Sequence, residues 1–297
     1  MLRLVKRELH VAVLSLFLAG TIALLTPVTM AGASTPPTSF YLDIGGSASL
    51  GYQPTPTSPH GQHTNSGYAD YLVAHEAAKG VSLQLTEIGC AGETTETMLV
   101  GGDTCYPPPD TQLSEAVSFL RAHYDESGLV TVDLGFNDIR PCFQSDTVDQ
   151  SCVHGKVEVV REQLPGILSA LKAAAGPQVT IIGLGHYDPY LAHYLDGPQG
   201  RTFAEVSFDA VTNLDHTLYD AYSDAGVPMA NVNSAFNGDD TSPVTLAGVG
   251  TVPDNVAEIC LLTWMCQAYT YHPNIHPNDA GYEAIADAIA AVLPAPW

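Results

Sequence analysis

Basic residues are scarce in this chain: 10 Lys+Arg stand against 32 Asp+Glu in 297 residues, a formal charge of −22. A surface so acidic repels phosphate backbones, and polyanion binders need a concentrated basic face to release counterions, so nucleic acid is excluded as a partner class. An anionic membrane surface is disfavoured on the same ground. Charge of either sign is thin, 14% of residues against 45% hydrophobic. That balance excludes a disordered chain and calls for a globular body with a sizeable core. No cysteine pair has C-x-x-C spacing, no internal repeat is present, and no second composition regime marks off another domain. At this length one large α/β domain is the economical reading.

The long apolar run is at the start. Arg3, Lys6 and Arg7 precede Val11 to Leu25 and the small-residue triplet Ala31-Gly32-Ala33. This is the basic, apolar, small-residue order of a secretory signal over residues 1–33, with cleavage expected near Ala33. A retained membrane anchor is the competing reading, because the run stretches towards Met30. Losing the leader removes Arg3, Lys6, Arg7 and Glu8, which leaves 7 of the 10 basic and 31 of the 32 acidic residues. Export places all six cysteines in an oxidising compartment. Fifteen connectivities are open to six cysteines, and proximity along the chain favours Cys90 with Cys105, Cys142 with Cys152, and Cys260 with Cys266. Closing a loop of about 15 residues removes roughly 3 kcal/mol of unfolded-state entropy in the chain model, so such bonds staple loops. The rival zinc reading lacks its ligand spacing.

Residues 34–39 form a Pro/Thr/Ser linker, and the domain proper is expected over 40–297. Phe40 to Ile44, Ser82 to Thr86, Leu129 to Leu134, Val179 to Leu184 and Met229 to Val232 read as strands. Tyr68 to Lys79, Leu113 to His123, Val157 to Ala175, Phe203 to Ala225 and Gly281 to Leu293 read as helices. Pro165 is expected to kink or break the longest of them. Gln53 to Ser66, rich in Pro, Thr, His and Gly, reads as loop. Alternating strands and helices predict a parallel sheet covered by helices on both faces.

In such sheets chemistry gathers beyond the carboxyl ends of the strands. Three predicted strands end there in small-residue loops: Gly45-Gly46-Ser47, Cys90-Ala91-Gly92-Glu93-Thr94, and Gly135-Phe136-Asn137-Asp138. A late His276 precedes the last helix in His276-Pro277-Asn278-Asp279-Ala280-Gly281-Tyr282. A serine in a Gly-rich strand-to-helix turn exposes its oxygen and offers backbone N–H groups to an oxyanion.

These four blocks, in this order and spanning Tyr41 to Tyr282, resemble the SGNH hydrolase family, also called GDSL-type esterases and lipases, and within it the secreted actinobacterial kind. The resemblance implies a flavodoxin-like three-layer α/β/α sandwich with a parallel central sheet. It implies Ser47 as nucleophile and His276 as general base. It also implies an oxyanion hole from the backbone N–H groups of Ser47 and Gly92 and the side-chain amide of Asn137. The activity implied is hydrolysis of carboxylic esters through an acyl-enzyme, without metal or cofactor.

Two positions depart from the family pattern. Gly46 stands where the family usually has Asp. Asn274 and Pro273 stand where it places the Asp that orients the histidine. A carboxylate there fixes the imidazole tautomer, and its replacement by Asn in a well-studied protease costs about 10⁴ in rate. Three readings stay open: the Asn274 side-chain oxygen accepts the histidine N–H, a backbone carbonyl near Pro273 does so, or the site is slow or dead. The last motivates a rival function, a silent secreted protein binding acylated ligands or a cell-surface partner.

His272 repeats the His-Pro-Asn triplet but lacks the helix start that follows His276. His60 and His63 read as solvated loop residues, and Gly238-Asp239-Asp240 as an exposed loop without the twelve-residue calcium pattern. Leu261 to Met265 reads either as acyl-pocket lining or as core, and Tyr52, Tyr187 and Tyr190 as rim. The expected partners are small-molecule or lipid esters, with no stable membrane span in the mature form and a monomeric state.

Overall fold

The structure, a computed structural model, describes residues 38–144, 147–267 and 274–294. The leader to Ala33, His272 and Pro273 lie outside these residues. The first strand, β1 (Thr38–Gly45), begins within the stretch read as linker, taking in Thr38 and Ser39. Phe40, Leu42 and Ile44 enter one core cluster and Tyr41 the other, the period-2 alternation of a strand covered on both faces.

Four more strands, β2 (Ser82–Glu87), β3 (Gly128–Asp133), β4 (Val179–Leu184) and β5 (Met229–Ala230), complete a parallel sheet. Their order is β2-β1-β3-β4-β5, the flavodoxin order, with its topological switch point between β1 and β3. The long helices are α1 (Tyr68–Ala78), α2 (Thr95–Val100), α3 (Gln112–Ala122), α4 (Gln150–Ala174), α5 (Pro198–Asp224), α6 (Asp254–Leu262) and α7 (Asp279–Val292). Helices α2 to α5 bury their apolar stripes on the Phe40/Leu42/Ile44 side, and α1, α6 and α7 on the Tyr41 side. The fold is thus a three-layer α/β/α sandwich.

Several elements depart from the pattern read in the sequence, each for a local reason. Helix α4 starts at Gln150, seven residues ahead of Val157, because the Asp149 side chain accepts the Cys152 N–H at 3.0 Å and caps it. It also runs through Pro165. A mid-helix proline costs about 3 kcal/mol. Leu164, Ile167, Leu168 and Leu171 are all fully buried, at roughly 1.5 to 3 kcal/mol each, which outweighs that cost. Helix α5 begins at Pro198, where the missing N–H has no helical acceptor to lose. Gln53 to Ser66 is not plain loop: Gln53–Thr55 and Ser58–Gln62 pair as a small antiparallel hairpin. Its turn is held by side-chain bonds, Ser58 N–H to Thr55 Oγ1 at 3.1 Å and Ser58 Oγ to the Gly61 carbonyl at 2.9 Å.

The three disulfides join Cys90 with Cys105, Cys142 with Cys152 and Cys260 with Cys266, with Cα separations of 5.9, 5.5 and 4.9 Å. Among the described residues no helix is long and apolar enough to cross a membrane. The Cys90–Cys105 bond closes a loop of 15 residues, so a paired Cys90→Ser, Cys105→Ser variant should lose about 2 to 4 kcal/mol of stability in urea unfolding. An unchanged unfolding free energy would show that this loop needs no staple.

Candidate active site

The chain leaves β1 through a passage that only glycine fits. Gly45 has φ +145°, and a Cβ there would collide with the carbonyl of Asp133, the last residue of β3. Gly46 donates its N–H to that carbonyl at 3.2 Å. Ser47 then opens a 3₁₀ turn over Ala48–Leu50 at the switch point, and its carbonyl accepts the N–H groups of Leu50 (3.2 Å) and Tyr52 (3.1 Å).

A buried amide clamps this passage. Gln112 on α3 accepts the Gly45 N–H on Oε1 at 2.8 Å, and its Nε2 donates to the Gly45 carbonyl at 3.1 Å. The same Nε2 donates to Glu93 Oε2 at 2.8 Å, and Thr97 donates to Glu93 Oε1 at 2.5 Å. Gln112 and Glu93 are both fully buried. Burial, helped by the Asp103 carboxylate, pushes the Glu93 carboxyl up to about 8, so it is protonated at neutral pH. Cys90 N–H also donates to the Gly45 carbonyl at 2.9 Å, tying the Gly92 loop to the serine turn. Neither Gln112 nor Glu93 was singled out in the sequence. Glu93 sits inside a recognisable block, whereas nothing local marks Gln112.

His276 lies on the Asn274–Pro277 strand, which pairs with Thr263–Trp264. Its Nε2 is 2.8 Å from Ser47 Oγ and its Nδ1 is 2.6 Å from Asn274 Oδ1. The orientation of the Asn274 amide follows from its backbone neighbours. The His276 backbone N–H is an obligate donor, and it reaches Asn274 Oδ1 at 3.0 Å. The Pro59 carbonyl on the hairpin is an obligate acceptor, 3.5 Å from Asn274 Nδ2. With Oδ1 thus fixed as acceptor, His276 Nδ1 carries the proton and Nε2 presents a lone pair to the serine hydroxyl. Burial, with the positive charge of Arg140 adding to it, lowers the His276 pKa to about 4.

Asn137 follows β3 in the short helix Phe136–Ile139. A Cβ on Gly46 would come within 2.7 Å of its Nδ2, so the glycine at the family's Asp position lets this amide lie against the serine turn. Next to it Asp138 accepts the N–H of Thr95 at 3.1 and 3.2 Å and its hydroxyl at 2.7 Å, which locks the Asn137 turn to the Gly92 loop. Ser47, Asn137 and His276 line one partly open cavity with Phe136, Tyr187 and Ile275 among its apolar walls. Gly92 is not among the residues that line it.

A model of the GDSL-like lipase/acylhydrolase family matches residues 44–284, a span that takes in all four blocks. The chain belongs to this family. Among solved structures this GDSL-like chain is similar to the extracellular lipase of Streptomyces rimosus, at 15% identity over 86% of this chain and 100% of that one, with a TM-score of 0.50. It is also similar to phospholipase A1 of Streptomyces albidoflavus NA297 (18% identity, 84% and 98% covered, TM-score 0.48) and to the psychrotrophic esterase EstA of a Pseudoalteromonas species (14%, 85% and 95%, 0.46). At 15% identity the likeness to the Streptomyces rimosus lipase is one of fold. No curated protein matches the sequence.

The remaining sequence candidates fall into place around the family's site. Tyr187 walls the cavity and donates its hydroxyl to the Ile275 carbonyl at 2.6 Å, and the Tyr52 ring stands 5.7 Å from the His276 ring. Tyr190 stacks on Phe143 at 4.6 Å, outside the cavity lining. The Leu261 to Met265 stretch does not line this cavity; Met265 and the Cys260–Cys266 pair face a separate groove. His60 is exposed, His63 pairs with Glu87 at 3.2 Å, and Asp239 and Asp240 are exposed.

Because the folded protein raises the Glu93 pKa from 4.5 to about 8, folding favours its protonated form. That contribution is complete below about pH 4.5 and is lost as pH rises through 8. Glu93→Gln keeps a neutral amide against Gln112 and Thr97. Its melting temperature should therefore fall less between pH 5 and 8.5 than that of the wild type; parallel declines would show that Glu93 is already ionised.

Proposed function

We propose that this GDSL-family protein is an ester hydrolase that works through an acyl-enzyme on Ser47, with His276 as general base. Family membership and fold support ester hydrolysis. The observation that carries the finer reading is the unbroken line of contacts Ser47 Oγ, His276 Nε2, His276 Nδ1 and Asn274 Oδ1.

In the proposed cycle His276 takes the Ser47 proton as the oxygen attacks the ester carbonyl. The oxyanion meets the Asn137 amide and the backbone N–H of Ser47; the Gly92 N–H that the family resemblance adds as a donor belongs to a residue outside the cavity lining. The protonated histidine then gives its proton to the leaving alcohol, and a water deacylates the serine by the same route in reverse. The rate loss of about 10⁴ known for Asn in the acid's place stems from the wrong histidine tautomer. Here the backbone bonds of Asn274 favour the right one, so that loss does not apply. What the amide does not supply is a negative charge to stabilise the imidazolium, so the base is weaker and works to lower pH.

The expected substrates are small-molecule or lipid esters, and the acting form is a monomer. The basic, apolar, small-residue order of residues 1–33 and the three disulfides support export to an extracellular compartment, with the leader cleaved near Ala33 as part of this proposal.

Hydrolysis of a p-nitrophenyl ester series by the mature chain tests this reading. Ser47→Ala should abolish turnover, and Asn137→Ala should lower kcat by about 10² to 10³ while the protein stays folded. Wild-type rates no higher than those of Ser47→Ala at every chain length would instead leave the silent binder. A second test concerns pH. With His276 near 4, the acid limb of kcat/KM should lie near pH 4 to 5. Asn274→Asp places a carboxylate against Nδ1, raises the histidine pKa and should move that limb upward by a unit or more. An unmoved limb would mean that another group governs the base.

A further inference from the structure

Two titratable side chains that this chemistry does not use also line the Ser47 cavity. Asp133 ends β3, and His186 follows β4. Their side chains are each only 10% exposed, and both sit among the walls of that cavity. His186 is fixed from two sides. Its Nε2 lies 3.0 Å from the Leu134 carbonyl and so carries a proton, and its backbone N–H donates to Asp215 Oδ1 at 2.9 Å. The remaining nitrogen, Nδ1, faces Asp133 Oδ1 at 3.7 Å.

That gap is informative. It is longer than a hydrogen bond, yet two bare acceptors would not be held facing each other inside a cavity wall. Asp133 is also held by the Ser49 backbone N–H, and a single proton between Nδ1 and Oδ1 would not close a hydrogen bond across 3.7 Å. A group that both donates and accepts completes the pair whichever way the proton lies. A hydroxyl does this, giving its hydrogen to one atom and receiving one from the other. A methylene chain does not, and laying it here would cover polar atoms of the pair without offering them a bond. A carboxylate or phosphate would meet the Asp133 oxygen and be repelled.

We propose that Asp133 and His186 form a hydroxyl-recognition pair in the substrate cavity, so that this protein selects esters bearing a hydroxyl near the carbonyl over esters with plain alkyl chains. The inference rests on the reading of Ser47 as nucleophile. The source of selectivity is general: a site built to hydrogen-bond a substrate hydroxyl discriminates strongly against the analogue that lacks it, because its own polar atoms are left unpaired.

The test compares matched esters with the mature protein. Ethyl 3-hydroxybutanoate against ethyl butanoate places the hydroxyl on the acyl side, and glyceryl monoacetate against propyl acetate places it on the alcohol side. A kcat/KM at least tenfold higher for the hydroxylated member of one pair is expected, and that pair identifies the side on which the cavity reads the substrate. His186→Phe should bring the ratio below threefold. Equal rates within both pairs in the wild type, a comparison that needs no variant, would overturn the proposal, as would a ratio that survives His186→Phe. The same four compounds are titrated against Ser47→Ala by ligand-observed NMR, where binding is read without turnover. If the wild type hydrolyses nothing but Ser47→Ala still binds the hydroxylated member tenfold more tightly, the hydrolase reading falls and the recognition pair stands. If neither turnover nor a binding preference is found, both fall.

Discussion

Gly45 ends β1 with its α-carbon packed on the backbone of Asp133, the final residue of β3, and a single methyl group there would strike the Asp133 carbonyl. The two strands flank the switch point of the sheet, where the crossovers diverge to opposite faces and leave a crevice. A glycine at that place lets the chain turn out of β1 at once and set Ser47 at the mouth of the crevice. Everything else at the site is measured from this turn. Gln112 holds its backbone from α3, Cys90 holds it from the loop after β2, and Asn137 reaches it from the end of β3. Asp138 then ties the Asn137 turn to Thr95, so the three loops and α3 brace one another and no donor depends on its own loop alone.

The replacement of a carboxylate by Asn274 changes what must be specified. A carboxylate accepts through either oxygen, whereas an amide is useful to a histidine in one orientation and harmful in the other. The fold settles this by flanking the amide with one backbone donor and one backbone acceptor. Orientation is therefore bought with main-chain atoms, which side-chain mutation does not remove. The hairpin that supplies the Pro59 carbonyl thereby acquires a part in the site that its composition does not suggest.

The four blocks were legible in the sequence because each is local: a few consecutive residues turn a strand end into a loop, and their chemistry travels with them. The sheet and its layers were legible from alternation and helical period. What escaped was set by partners far along the chain. Gln112 reads Gly45 across 67 residues, and no property of Gln112's own neighbourhood announces it. Asp133 and His186 belong to two strand ends that only the sheet order brings together. The start of α4 was missed because a cap at Asp149 extends the helix beyond its apolar period, and the Gln53–Gln62 hairpin because hydroxyl-to-backbone bonds replace the usual turn and strand residues.

A neutral partner for His276 has a consequence at the scale of the whole molecule. The sequence pI is about 4.5, so the net charge that keeps this acidic protein dispersed falls to zero in the same pH range in which the buried imidazole begins to take up its proton. On acidification, mutual repulsion between molecules fades, and proteins near zero net charge tend to associate. The lower bound on working conditions is then shared between the site and the surface as a whole, which loses its mutual repulsion in the range where the proposed base is titrated.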